Sequence, residues 1–179
     1  MTWLQQSLQR LLPAPGQTTT STTVVKQART PARDGPVYGP LPMSPRAYSR
    51  PKALPRNGRV ALVAASSPFD PPSLERGRQR LLARGYQVSE APDLGAADRY
   101  LAASDNGRAQ ALLRALQDPE VNLVMAARGG YGLTRILPLL HAQSARLALL
   151  QPKLVCGFSD VTALHAFLTR QLGWRSVHG

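Results

Sequence analysis

A chain of 179 residues with 43% hydrophobic content can hold one domain with a proper core, and its single cysteine, Cys156, excludes an internal disulfide and any cysteine-based zinc site. The formal charge of +12 invites a nucleic-acid reading, but much of it gathers early. Arg10, Lys26, Arg29, Arg33, Arg46, Arg50, Lys52 and Arg56 face only Asp34 in the first 58 residues, the part of the chain least able to bury apolar surface.

No Lys/Arg run with interleaved aromatics and no nucleic-acid motif is present, so a solvated basic tail is the expectation and a nucleic-acid partner is not. No apolar run reaches the ~18 residues of a membrane span, and no secretory signal is visible. The expected setting is a reducing cytoplasm, without a membrane partner.

Residues 2–12 carry Leu4, Leu8, Leu11 and Leu12 at helical spacing, ended by Pro13 and Pro15. This predicts a short amphipathic helix, marginal on its own. From Pro13 to Asn57 the composition is Pro-, Thr-, Ser- and Arg-rich, which predicts a disordered tail over 1–57. The tail has the character of a weak organellar transit peptide, or of sequence upstream of a true start at Met43 rather than Met1.

The folded domain is expected over 58–179. Arg59–Ala65 is a continuous apolar run of strand length, the pattern of a buried parallel strand. After a loop at 66–72, Ser73 is the expected N-cap of a helix to about Arg84, with Leu74, Leu81 and Leu82 inward and Gly85 as its stop. Tyr86–Glu90 reads as a second strand, and 92–103 gives no clear pattern. Asp105 is the expected cap of a helix over 106–117 that buries Ala109, Leu112, Leu113 and Leu116.

Val121–Ala127 reads as a third strand, running into Arg128-Gly129-Gly130-Tyr131-Gly132 and then a helical pattern over 133–140 that contains Pro138. Lys153–Cys156 is a fourth strand and Gly157-Phe158-Ser159-Asp160 a tight turn. A helix follows to Leu172, with Leu164, Phe167 and Leu168 inward, and Ser176–His178 begins a last strand. Strands alternating with helices predict an α/β domain built on a doubly wound, mainly parallel sheet with flanking helices, ligands gathering at the strands' carboxyl ends.

Two stretches carry chemistry. Strand, sharp turn with Ser159, then helix is the layout of a nucleophile elbow, although Val161 stands where G-x-S-x-G has its second glycine. The plainer alternative is that Ser159 or Asp160 only caps the helix. The glycine loop at 128–132 follows a strand and precedes a helix, where backbone N–H groups approach an anion. It has neither the Lys-Ser/Thr pair of a Walker loop nor Rossmann spacing, and a bare tight turn is the alternative. Together the two stretches suit acyl transfer. The N–H of Asp160 and one from Gly129 or Gly130 could hold an oxyanion.

Arg59–Ala65, Tyr100-Leu-Ala-Ala-Ser-Asp105, Ala126-Ala-Arg-Gly-Gly-Tyr-Gly132, Gly157-Phe-Ser-Asp160 and His178-Gly179 occur in the order and approximate spacing of the LD-carboxypeptidases. These are the muramoyl-tetrapeptide carboxypeptidases of peptidoglycan recycling and their relatives, the microcin C self-immunity peptidases. The resemblance covers about Arg59 to Gly179 and implies a serine carboxypeptidase acting on muropeptides. Ser159 would be the nucleophile, Asp160 and Gly130 the oxyanion donors, and Arg128, Gly129, Tyr131 and Gly132 candidates for the substrate loop.

No metal or cofactor is implied, and a homodimer is compatible. The family's Ser–His–Glu triad takes its Glu and His from a C-terminal domain, and none of His141, His165 and His178 matches that histidine. The expectation is therefore a truncated or split-gene nucleophile half, inactive alone, whose partner is a Glu- and His-bearing C-terminal domain. A non-catalytic binding fragment is the reading from another class.

Overall fold

Five strands run parallel in the order β2-β1-β3-β4-β5. They are β1 (Arg59–Val63), β2 (Gln87–Glu90), β3 (Val121–Ala126), β4 (Leu154–Gly157) and β5 (Val177–His178). The computed structural model describes residues 48–91, 97 and 99–179. The expected helix at 2–12, the tail up to residue 47, and 92–96 with 98 lie outside the described residues.

Strand alternation explains the unbroken apolar runs. On β1, Ala61 and Val63 join one core cluster, while Val60 and Leu62 join another on the opposite face. Val124 pairs with Val155, and Met125 with Cys156, so β3 and β4 also present apolar side chains to both faces. Two-sided burial is what a parallel sheet requires.

The larger cluster lies under α2 (Asp105–Gln117), α3 (Leu133–His141), the short α4 (Ser144–Leu147) and α5 (Thr162–Phe167). Ala109, Leu112, Leu116, Ile136, Leu140, Leu147, Leu164 and Leu168 are buried there, as the helical spacing predicts where it was read. Only α1 (Pro71–Leu82) among the described helices packs on the opposite face, through partly buried Leu74 and Leu81. Leu82, expected inward, is exposed.

Local chemistry sets the helix ends differently from expectation. The first helix begins at Pro71 and its cap is Asp70, which accepts the Ser73 N–H at 3.0 Å. Two prolines start the helix because its first N–H groups need no intrahelical partner and their φ is already helical. The second helix is capped by Ser104, whose hydroxyl accepts the Gly107 N–H at 3.1 Å, and not by Asp105.

The helix expected from Val161 to Leu172 is not uniform. It passes from a 3₁₀ turn (Ser159–Val161) through α5 into a π turn (Leu168–Leu172), ended by left-handed Gly173.

Ordered structure also reaches back before residue 58. The Ser49 N–H donates to Gly173 O at 2.8 Å, and Arg175 N–H donates to Ser49 O at 3.1 Å. Leu54 packs on the Val60/Leu62 side of the sheet. Residues 48–57 therefore do not belong to a disordered tail; backbone pairing beside buried Trp174 holds them.

Candidate active site

The strand order reverses between β2-β1 and β3-β4-β5, so the chain leaves β1 and β3 in opposite directions at the carboxyl edge, where ligands of such sheets bind. Three turns meet at that edge: 64–70 after β1, 127–132 after β3 and 158–160 after β4.

Ser159 is exposed and has φ +59°, one of two left-handed non-glycine residues among those described. A serine in this region costs on the order of 1–3 kcal/mol, and such strain persists only where its surroundings impose it. Gly157 and Gly129 permit the approach. A Cβ on Gly157 would stand 2.6 Å from Val161 Cγ1, and one on Gly129 would stand 2.8 Å from Phe158 O and 2.9 Å from Ser159 Cβ. The glycine loop and the serine turn are therefore in direct contact, as their pairing in the sequence suggested.

Gly130 has φ +107°, and a Cβ there would collide with Ser67. The Ser67 hydroxyl accepts the Tyr131 N–H at 3.0 Å, and Ser67 N–H donates to Gly129 O at 3.3 Å. Among the described residues, neither the Gly130 N–H nor the Asp160 N–H makes a turn or loop hydrogen bond to a backbone carbonyl.

Asp160 has a second part to play that the sequence reading missed. Its carboxylate accepts the Leu133 N–H at 2.9 Å and so caps α3, whose own cap position is left-handed Gly132. Neither Ser159 nor Asp160 caps its own helix by a side-chain bond.

Arg128 donates to Pro68 O at 2.8 Å, joining the first two turns. It also lines a mostly apolar cavity of about 430 Å³ with Leu62, Phe69, Leu74, Leu81 and Met125. Ser159 does not line that cavity, which lies on the α1 side of the sheet. Tyr131 is exposed, its ring 5.6 Å from that of Tyr100, and exposed Phe158 flanks the serine in sequence.

Among the described residues, no hydrogen bond from a histidine ring to the Ser159 hydroxyl is seen. His165 Nε2 lies 2.9 Å from Gly157 O, and since a carbonyl only accepts, that nitrogen carries the proton. The ring of His178 on β5 is 6.1 Å from that of His165, and His141 ends α3. Cys156 is half-buried. Burial pushes its thiol above the ordinary value, and the thiol points toward Gly179 O at 3.6 Å.

Sequence reasoning also missed Ser67 and Arg108. The first looked like one of several loop polar residues, and the second like an ordinary helix arginine; nothing in local spacing marks either.

A parallel α/β domain with a strained serine turn seated against a glycine loop has the layout of an acyl-transfer domain. The chain belongs to the LD-carboxypeptidase family, matching its N-terminal domain over residues 60–179.

Three similarities fill this in. A carboxypeptidase-named protein of Streptomyces coelicolor is 40% identical over 139 residues, 75% of this chain and 44% of that protein. The muramoyltetrapeptide carboxypeptidase of Oxalobacter formigenes superposes with a TM-score of 0.59 at 32% identity, over 68% of this chain and 39% of that one. A protein of Bacillus anthracis named as like MccF, the microcin C7 self immunity protein, gives a TM-score of 0.65 at 24% identity over 73% and 40% of the two chains. That last likeness concerns the fold alone. The chain spans under half the length of these relatives.

Proposed function

We propose that this chain is the nucleophile-bearing portion of a serine-type LD-carboxypeptidase that releases the terminal D-alanine of muropeptide tetrapeptides. The observation that carries the reading is Ser159, exposed and left-handed at the end of β4, with Gly129 pressed against it. The names of the relatives support the substrate class.

In this account the Ser159 hydroxyl attacks the carbonyl of the L–D amide. The oxygen of the tetrahedral intermediate takes the N–H groups of Asp160 and Gly130, and D-alanine leaves with a proton. Water then hydrolyses the acyl-enzyme. The glycine loop, from Arg128 to Gly132, borders the acyl side of the substrate.

In this account the base is supplied from outside the serine turn and the glycine loop. With His165 committed to Gly157 O and no histidine seen on the hydroxyl among the described residues, Ser159 stays a weak nucleophile by itself. The histidine and its glutamate come from a C-terminal domain, on the same polypeptide or on a partner chain. Loss of such a base costs on the order of 10⁶-fold in rate, so this portion alone turns over negligibly.

The test measures D-alanine released from a muropeptide tetrapeptide by the chain alone and with a family C-terminal half added. Release only with the addition, abolished by Ser159→Ala, is the expected result. Full release by the chain alone would refute the need for a second half. No release in either case, from a folded chain that still binds the muropeptide, would leave a binding fragment. A self-immunity-type peptidase is the second reading, carried by the family resemblance of the serine turn and glycine loop rather than by the fold. Cleavage of an aminoacyl sulfamoyl adenosine in place of the muropeptide would select it.

A further inference from the structure

Arg108 is the largest polar side chain in the interior, and its side chain has no exposure at all. It stands on α2, away from the serine turn, yet its donors reach three separate segments. Nε donates to Ala103 O at 3.1 Å. Nη1 donates to Ala65 O at 2.5 Å and to Gly132 O at 2.9 Å. Nη2 pairs with Asp105 Oδ1 at 2.5 Å, and the same carboxylate holds Arg135 of α3 at 2.8 Å.

Two of those carbonyls bracket the candidate site. Ala65 leads into Ser67, the acceptor of the Tyr131 N–H, and Gly132 closes the glycine loop that carries Gly130. Gly132 is left-handed at φ +107°, and a Cβ there would collide with Leu101 Cδ2 and stand 3.2 Å from Nη1, so the close approach needs glycine. A buried charge is retained only where bonds and a counter-ion offset its desolvation, and here Asp105 and three carbonyls supply both.

The geometry points to Arg108 as a positioning residue that fixes the glycine loop against the β1 loop, and so aims the Gly130 N–H toward Ser159. It touches no substrate. Only a planar fork reaches these acceptors at once, which a lysine ammonium cannot do. The catalytic consequence rests on the function proposed above; the structural one does not.

The experiment compares amide hydrogen exchange in the full chain and in Arg108→Lys. The reporters are Tyr131 and Leu133, whose N–H groups bond Ser67 and Asp160, and the references are Val124 and Val155 in the sheet. Exchange at Tyr131 and Leu133 should rise at least about tenfold with the sheet amides unchanged. Unchanged reporters would overturn the proposal, and so would an equal rise at all four positions, which describes a core residue only.

If Arg108→Lys does not fold, Asp105→Asn keeps the guanidinium and should move the same two reporters in the same direction. Reporters identical to wild type in that variant would overturn it.

In a preparation that releases D-alanine, Arg108→Lys should lower kcat on the order of 10²-fold, as loss of an oxyanion donor does, with KM nearly constant. A raised KM at unchanged kcat would overturn the positioning role. Absence of release by wild type with the C-terminal half added would sink the proposed function, while the exchange data would still decide for or against Arg108.

Discussion

The Asp160 carboxylate accepts the Leu133 N–H at 2.9 Å, so the residue following the candidate nucleophile caps a helix that begins after the glycine loop. Position 160 thus commits its side chain to the structure that holds Gly130. The first turn of α3 has no acidic residue of its own, and Asp160 supplies the negative charge its N-terminus favours. Asp160→Ala should cost about 1 kcal/mol in urea denaturation, the usual value of a lost cap. Asp160→Asn keeps an acceptor oxygen and should cost less. Equal stability of all three proteins would count against the cap.

Gly130 combines left-handed backbone with contact against Ser67. Gly130→Ala must strain the backbone and displace Ser67 together, a cost on the order of 1–3 kcal/mol. It should also break the Tyr131–Ser67 bond, which Ser67→Ala removes without the strain. Comparing melting temperatures of the two variants separates the effects. The Gly130 variant should be clearly the less stable, and the reverse order would remove the packing argument.

Acid should weaken the fold through carboxylates held low. Hydrogen bonds from Arg78 and Gln79 bring Glu75 to about 2, while Arg135 and then Arg108 lower Asp105. A folded value below the unfolded one stabilises the native state above the unfolded value, roughly 4 for these groups, and the benefit fades as pH falls toward the folded value. Stability should be level from about pH 7 to 5 and should decline between about 4 and 2. Asp105→Asn should flatten part of that decline in urea titrations across pH. An unaltered acid limb would mean that the Arg135 pair is loose in solution.

The fold was legible because its strands are covered on both faces. Residues 59–63, 121–126 and 154–157 are apolar at nearly every position, and no other arrangement of such short runs suits alternating helices. The serine turn and the glycine loop were legible as motifs, and their contact as a consequence of parallel topology.

The helix starts were not, because adjacent residues compete for one cap. Asp70 and Ser73 can both serve, and Asp70 takes the cap by accepting from Ser73 itself. Ser104 and Asp105 can both serve, and Asp105 is drawn instead to Arg135, 30 residues away. Ser67 meets Tyr131 across 64 residues, and Arg108 meets Ala65 across 43, separations that no local pattern encodes. Helical periodicity likewise does not distinguish the 3₁₀, α and π windings after Ser159.

The earliest described segment gives a separate prediction. Ser49 pairs with Gly173 and Arg175, on either side of Trp174, which is 2% exposed, and Leu54 packs beside β1. A chain beginning at residue 58 should therefore be less stable than one beginning at residue 44. Its tryptophan fluorescence should shift toward that of a solvated indole. Identical emission and identical urea midpoints would show that the pairing adds nothing.

The central claim is that Ser159 is the nucleophile, and the most direct measurement is to trap the acyl-enzyme and locate it. The chain with an added family C-terminal half would be incubated with a muropeptide tetrapeptide, quenched in acid, digested and sequenced by mass spectrometry. The account predicts an acyl adduct on Ser159, absent from Ser159→Ala. An adduct on Ser67, or D-alanine release undiminished in Ser159→Ala, would contradict it.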